Sequence, residues 1–345
     1  MQAERTLRTP DDLARVGLVT DDKLPALRRV AERYAVAITP AVASLIDPSD
    51  PSDPIARQYV PNPAELELAP GELADPIGDD AHSPVPGIVH RYPDRVLLKP
   101  VHVCAVYCRF CFRRETVGPG KAEALSSEAL AAALAYIRRD PAIWEVILSG
   151  GDPLVMAPRR LLGIASALAG TEHVRVLRVH TRLPLVAPDR VTPDLVDALV
   201  ASGKAVWVVL HVNHPRELTP EARAACARLG AAGIPLLSQS VLLRGVNDDP
   251  ATLDALLRAL VEARIKPYYL HHGDLAPGTA HFRTSLETGQ ALVRGLRGRV
   301  SGLCQPDYVL DIPGGHGKSP VGPTYFHERD GRRTVEDWRG AEHAI

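Results

Sequence analysis

The chain has 345 residues, of which 46% are hydrophobic and 23% are charged, and its formal net charge is −1. A charge so near zero provides no basic surface for nucleic acid or an anionic membrane, and no apolar stretch approaches the roughly 18 residues of a membrane span. We therefore expect a cytoplasmic protein of one large domain with terminal additions, which binds a small molecule and has neither nucleic acid nor a membrane as a partner.

The N-terminal part of the chain differs in pattern from the rest. Helical periodicity over Asp11–Leu18 and Lys23–Tyr34 is followed by a proline-rich, acidic connection from Thr39 to Pro86. We interpret residues 1–88 as a helical and proline-rich wrapping segment.

From Arg95 onward, short apolar runs alternate with helical periods, which is typical of βα units with parallel strands. The pattern predicts six strands, at Arg95–Val103, Glu145–Leu148, Val174–His180, Ala205–His211, Pro235–Leu243 and Lys266–His271. It predicts six helices, at Ser127–Arg138, Pro158–Ala169, Pro193–Ala201, Pro220–Ala232, Pro250–Ala263 and Leu286–Arg297. Because six strands cannot close an eight-stranded barrel, the expected α/β fold is a partial (β/α)6 TIM-like barrel over residues 89–285, with a C-terminal segment at 286–345.

Residues of unusual chemistry fall where the predicted strands end. In a right-handed βα barrel these ends meet on one face, where functional residues are found. The residues that follow successive strands are the cysteine loop, Gly150–Asp152, His180 with Arg182, His211 with His214, and Asp274. Gln239 departs from this rule because it lies inside the fifth strand.

Three of the five cysteines stand close together, at Cys104, Cys108 and Cys111. Three thiolates at this C-x3-C-x2-C spacing can hold an iron–sulfur cluster and leave one iron open for chemistry. A structural zinc site usually has four ligands, but the next cysteine, Cys226, lies more than a hundred residues downstream. Ferredoxin motifs have other spacings and a fourth cysteine. The spacing therefore favours a cluster with a free iron over zinc, a simple electron carrier or chance.

Three further groups of residues have both a functional and a local explanation. Gly150–Asp152 suits an extended ligand with an ammonium group, but glycine and aspartate are also common in βα turns. Lys318 follows a glycine-rich stretch and could form a Schiff base with pyridoxal phosphate, or could be a solvated surface lysine. Arg91 and Arg95 are spaced to bind a phosphate, and Arg113 could bind a carboxylate, yet surface arginines are common.

Six motifs occur in a fixed order: C-x3-C-x2-C, L-S-G-G-D-P-L, H-V-N-H-P-R-E, Q-S-V-L-L-R-G-V-N-D, D-L-A-P-G-T-A-H-F-R and P-G-G-H-G-K-S-P-V. Together they resemble the lysine 2,3-aminomutase family of radical S-adenosylmethionine enzymes. The resemblance extends roughly over residues 91–325, about two thirds of the chain.

The resemblance implies three cofactors and an amino acid substrate. Cys104, Cys108 and Cys111 would ligate a 4Fe–4S cluster whose fourth iron binds S-adenosylmethionine. Contacts to S-adenosylmethionine are implied for Gly150, Gly151, Asp152, His211 and Gln239. Pyridoxal 5′-phosphate would be joined to Lys318 and held by Arg91, Tyr92 and Arg95. The substrate α-carboxylate would bind Arg113, and the ε-ammonium of lysine would bind Asp274 and Asp311.

The activity implied is that of an isomerase, which moves the α-amino group of L-lysine from C2 to C3 to give β-lysine via a 5′-deoxyadenosyl radical. Two converging carboxylates favour a cationic side chain and disfavour glutamate, whereas arginine stays an alternative substrate. A non-catalytic iron–sulfur electron-transfer protein is the alternative from another class. The radical enzyme would need an external electron donor such as flavodoxin or ferredoxin. Because Asp249 stands where long family members have a zinc-binding cysteine, any homo-oligomer is expected to form without zinc.

Overall fold

The computed structural model describes residues 3–118 and 123–345. Its main feature is a nine-stranded sheet in which the strands follow one another in chain order. The strands are β1 (Ile88–Tyr92), β2 (Arg95–Val101), β3 (Glu145–Gly150), β4 (Val176–Thr181), β5 (Ala205–His211), β6 (Leu236–Val241), β7 (Ile265–His271), β8 (Asp307–Ile312) and β9 (Gly317–Pro320). Strands β2 to β8 pair in parallel, and the edge strands β1 and β9 are antiparallel to their neighbours.

The predicted partial α/β barrel is confirmed, and its sheet extends further than the six predicted strands. Each predicted strand has a counterpart, but β8 adds a seventh parallel strand within the segment that we assigned to the C-terminal addition. This apolar run is short, lies between Pro306 and Pro313, and follows the last predicted helix, so the βα alternation did not include it.

Helices cover the outside of the sheet, and most of those in the described residues begin at a capping side chain. Those in the described residues are α1 (Pro10–Arg15), α2 (Leu24–Arg33), α3 (Pro40–Ala43), α4 (Pro54–Tyr59), α5 (Ser127–Arg139), α6 (Pro158–Ala169), α7 (Leu183–Val186), α8 (Pro193–Val200), α9 (Pro220–Ala231), α10 (Pro250–Glu262) and α11 (Leu286–Leu296). Thr192, Thr219 and Asp249 each accept a backbone N–H at a helix start, and a proline follows each of them. Such caps satisfy donors that have no partner within the helix, and proline there sacrifices no hydrogen bond.

The N-terminal segment shares one hydrophobic core with the barrel. Leu13, Ile38 and Ile55 are fully buried in the same cluster as the strand residues Leu148 and Leu210. Burying a side chain of this size stabilises the fold by about 1.5–3 kcal/mol. The wrapping segment is therefore an integral part of the folded unit.

The C-terminal residues form a small separate sheet of β10 (Phe326–Arg329), β11 (Arg332–Glu336) and β12 (Glu342–Ala344). Over the part of the chain that the structure describes, no helix is both long enough and apolar enough to cross a lipid bilayer.

Candidate active site

A cavity of about 640 Å³ lies within the barrel, and every residue that the resemblance assigned to a cofactor or the substrate lines it, whereas the strand-end residue His214 does not. At one end are the cysteine loop after β2 and Gly150–Asp152 at the end of β3. At the other end are Arg95 and Glu145, the first residues of β2 and β3. The cavity therefore passes along the inside of the sheet, from one end of these strands to the other. The predicted residues that line it are Arg91, Tyr92, Arg95, Cys104, Cys108, Cys111, Arg113, Gly150, Gly151, Asp152, His211, Gln239, Asp274, Asp311 and Lys318.

Buried ion pairs hold the cysteine loop against the N-terminal segment. Glu65, which is fully buried, accepts hydrogen bonds from Arg109 and Arg114 on either side of Cys111. The Arg109 backbone N–H also donates to the Gln58 carbonyl at 2.8 Å. The wrapping segment therefore determines where the loop stands relative to the barrel.

The three clustered thiols are free, and the surroundings of Cys104 and Cys111 disfavour negative charge. Burial raises the pKa of Cys104 well above its usual value. Burial and the nearby Cys108 raise the pKa of Cys111 to about 11. Thiolates at these positions need a compensating cation, which the irons of a cluster supply. In residues 3–118 and 123–345, no three side chains of His, Cys, Asp or Glu are grouped as they would be around one metal ion.

Several cavity-lining side chains have buried polar atoms without a partner. Within the described residues they include the Nε atoms of Arg91, Arg178 and Arg182 and the Nε2 atoms of His180 and His211. Buried polar groups in proteins are almost always hydrogen-bonded, so unpaired ones around a cavity indicate polar ligands. Together with three thiols and a lysine amine, this donor set fits a cluster and two charged organic cofactors.

The glycines after β3 are required by a close approach of two backbone segments. Gly150 has φ +101°, and a Cβ there would stand 2.6 Å from the Val101 carbonyl oxygen. A Cβ on Gly151 would overlap the backbone of Val103. Packing alone explains both glycines, so a contact with S-adenosylmethionine stays a prediction.

The Asp152 carboxylate is already held by the protein. It accepts the Leu154 N–H at 3.0 Å, the Thr181 hydroxyl at 2.7 Å and the Arg182 N–H at 2.8 Å. Burial raises the pKa of Asp152 despite these bonds. Across the cavity, burial and then the Arg182 charge lower the pKa of His211 far enough to keep its imidazole neutral.

Lys318 lies on β9, directly across from Asp311 on β8. Its Nζ is 2.8 Å from both carboxylate oxygens of Asp311. Its backbone N–H donates to the Tyr92 hydroxyl at 2.8 Å, and the Arg95 guanidinium stacks 3.9 Å from the centre of the Tyr92 ring. The predicted cofactor lysine and two of its predicted cofactor contacts thus lie together where the edge strands β1 and β9 meet. The lysine side chain retains 32% of its exposure, so this end of the cavity is accessible to solvent.

The two predicted substrate carboxylates share the cavity but differ in charge state. Burial and then the Asp311 charge raise the pKa of Asp274 to about 7. Burial would also raise the pKa of Asp311, but its contacts with His271 and Lys318 outweigh this and hold that pKa well below its usual value. Asp311 is therefore ionised at neutral pH, whereas Asp274 is poised to lose its proton when a cation arrives.

Sequence reasoning did not find Asp79, which binds two of the predicted site arginines. Its carboxylate accepts from Arg113 at 2.9 Å and from Arg91 at 3.2 Å, with the Lys99 amine at 3.9 Å. Arg113 and Arg91 are therefore paired with a protein carboxylate rather than free. Asp79 belongs to the proline-rich connection, 34 residues before Arg113, and no local spacing relates the two.

The sequence profile of the Radical SAM superfamily matches residues 98–257. The chain is 42% identical to the L-lysine 2,3-aminomutase of Clostridium subterminale, over 94% of this chain and 77% of that protein. It is 37% identical to the L-lysine 2,3-aminomutase of Escherichia coli, over 90% of this chain and 91% of that protein. The glutamate 2,3-aminomutase of Clostridioides difficile is 35% identical, over 94% of this chain and 76% of that protein.

These similarities extend over nearly the whole chain and confirm the resemblance derived from the six motifs. The cofactors of the family are the predicted ones, a 4Fe–4S cluster, S-adenosylmethionine and pyridoxal phosphate, and the protein is an isomerase. The chain belongs to the lysine 2,3-aminomutase family of radical S-adenosylmethionine enzymes.

Proposed function

We propose that this protein converts L-lysine to β-lysine by moving the amino group from C2 to C3. The observation that carries the proposal is the pair Asp274 and Asp311, which lines the same cavity as Lys318 and the three clustered cysteines. When bound, the cluster with S-adenosylmethionine supplies a hydrogen-abstracting radical, and pyridoxal phosphate carries the migrating amino group.

The carboxylate pair supports a substrate with a cationic side chain. When Lys318 holds the cofactor, its amine is no longer available to Asp311, and two acidic groups then face the cavity. An ammonium group between them compensates both charges, whereas the γ-carboxylate of glutamate would add a third negative charge in a buried place. The pair therefore favours lysine over the substrate of the glutamate-specific relative.

The other residues have roles that follow from their positions. We assign Cys104, Cys108 and Cys111 to the cluster, and Gly150, Gly151, Asp152, His211 and Gln239 to S-adenosylmethionine. Arg91, Tyr92 and Arg95 are assigned to pyridoxal phosphate and Arg113 to the substrate carboxylate. Arg91 and Arg113 would each release Asp79 when they bind these ligands. An external one-electron donor such as flavodoxin or ferredoxin would reduce the cluster.

A substrate panel tests the proposal. Anaerobically reconstituted protein is supplied with S-adenosylmethionine, pyridoxal phosphate and a reductant, and then with lysine, arginine or glutamate separately. Mass spectrometry should detect β-lysine as the main product. A protein with an intact cluster that makes only a β-amino acid from arginine or glutamate would contradict the assignment of substrate, and redox cycling without any 5′-deoxyadenosine would contradict enzyme activity altogether.

A further inference from the structure

A buried arginine contacts one of the three clustered cysteines. Arg182 directly follows β4, and its Nη1 lies 2.8 Å from the Cys108 sulfur. The side chain is only 6% exposed, and the rings of Tyr59 and Phe110 lie 5.1 and 5.5 Å from its guanidinium carbon. A guanidinium cannot be deprotonated in a protein, so a permanent positive charge stands beside this sulfur.

The rest of the guanidinium is fixed from the opposite side. Its Nη2 donates to Glu217 at 2.8 Å and to the Gln58 side chain at 2.9 Å. Glu217 in turn accepts the backbone N–H groups of Asn213 and His214, both at 2.9 Å. This network determines the direction in which Nη1 points, and it leaves the carboxylate on the far side of the guanidinium from the sulfur.

The same residue also touches the group assigned to S-adenosylmethionine. The Arg182 backbone N–H donates to Asp152 at 2.8 Å, and its Nε is buried without a partner among the described residues. Arg182 at the end of β4 therefore contacts both a residue assigned to the cluster and a residue assigned to S-adenosylmethionine, and so fixes their relative positions. Two of these contacts, to Cys108 and to Asp152, involve residues that are assigned to the cofactors.

We propose that Arg182 sets the reduction potential of the cluster, by donating a hydrogen bond from Nη1 to the Cys108 thiolate. Hydrogen bonds to cluster sulfurs and nearby positive charge favour the reduced cluster, which carries one more electron. Glu217 opposes this effect in part, because its negative charge compensates the guanidinium. This inference rests on the assignment of Cys108 as a cluster ligand in the proposed function.

The test is a redox titration of the reconstituted protein without S-adenosylmethionine or substrate. The fraction of reduced cluster at each potential is measured by electron paramagnetic resonance. The double variant R182Q/E217Q removes both charges and leaves neither buried alone. Its equilibrium constant for cluster reduction should fall about tenfold, which lowers the midpoint potential by about 59 mV for a one-electron couple. The single variant E217Q leaves the guanidinium uncompensated and should raise the potential.

Arg178 and Glu145 provide a matched control pair. They are also ion-paired at 2.9 Å and largely buried. Arg178 lies within β4, which Arg182 directly follows, but the pair has no contact with a cysteine. The variant R178Q/E145Q should keep the wild-type potential.

A potential that is unchanged in R182Q/E217Q at full iron content, or that shifts equally in the control pair, would overturn the inference. If R182Q/E217Q takes up no iron, the upward shift in E217Q decides the question, and an unchanged or lower potential there overturns it. A wild-type protein that binds no cluster would instead refute the cysteine assignment itself. If the potentials shift as expected but no β-lysine is formed, only the proposed substrate is refuted, and the role of Arg182 stands.

Discussion

The charge state of Asp274 should govern how lysine binding depends on pH. The carboxyl has a pKa of about 7, raised by burial and by the Asp311 charge. A lysine ammonium binds the ionised carboxylate and not the neutral acid. With this pKa about nine tenths of Asp274 is ionised at pH 8 and about one tenth at pH 6, so kcat/KM should fall about tenfold per pH unit on the acidic side.

The decline of kcat/KM on the acidic side should have its midpoint near the pKa of Asp274, at about pH 7. Because kcat/KM reports groups of the free enzyme, it is the parameter to follow.

The assay is the initial rate of β-lysine formation at limiting lysine from pH 5.5 to 8.5, under anaerobic conditions. The variant D274N should lose most of its kcat/KM at pH 8, and its remaining kcat/KM should no longer fall as the pH is lowered. The variant D307N is a matched control, because Asp307 begins the strand that carries Asp311 but is exposed and outside the cavity. The D307N variant should keep the wild-type kcat/KM at pH 8 and the wild-type fall in kcat/KM at acidic pH. If kcat/KM still falls at acidic pH in D274N, another group, such as His271 beside Asp311, is responsible for the pH dependence. The reasoning about Asp274 would then be wrong.

Three further outcomes are expected. Glu65→Gln should lower the free energy of unfolding by about 3–5 kcal/mol in urea titrations, because it leaves the buried guanidinium of Arg109 without its partner; a change below about 1 kcal/mol would contradict this. Borohydride reduction followed by peptide mass spectrometry should find the cofactor on Lys318, whereas an unchanged adduct in Lys318→Ala would refute that assignment. Asp79→Asn removes the carboxylate that pairs with Arg91, so the variant should take up pyridoxal phosphate more tightly than the wild type in equilibrium dialysis; weaker uptake would show that Asp79 is needed to orient Arg91.

Features carried by local patterns were predictable from the sequence. The βα alternation predicted the barrel because each predicted strand is a short apolar run followed by a helical period. The cysteine loop was predictable because its three cysteines lie within eight consecutive residues. The glycine-rich stretch before Lys318 drew attention to this lysine, but its role as the cofactor lysine comes from the resemblance to the family and stays a prediction.

Contacts between distant parts of the chain were not predictable. Asp79 pairs with Arg113, and Arg182 contacts Cys108, only because the folded barrel brings separate loops to one cavity. A single sequence contains no periodicity that joins such positions. The strand β8 was missed for a related reason: its parallel pairing with β7 is a tertiary contact, and the stretch that follows it is rich in glycine and has no helical period to complete a βα unit.

The meeting of β1 and β9 links cofactor binding to the integrity of the barrel wall. One strand carries Lys318 and the other carries Arg91 and Tyr92, so a cofactor joined to the lysine and held by the opposite strand would crosslink the two margins of the sheet. A ligand that binds only the folded state stabilises it by mass action, by about 4 kcal/mol at a thousand times its dissociation constant. The coenzyme would then link the first and last strands of the sheet and stabilise the fold, in addition to its part in the reaction.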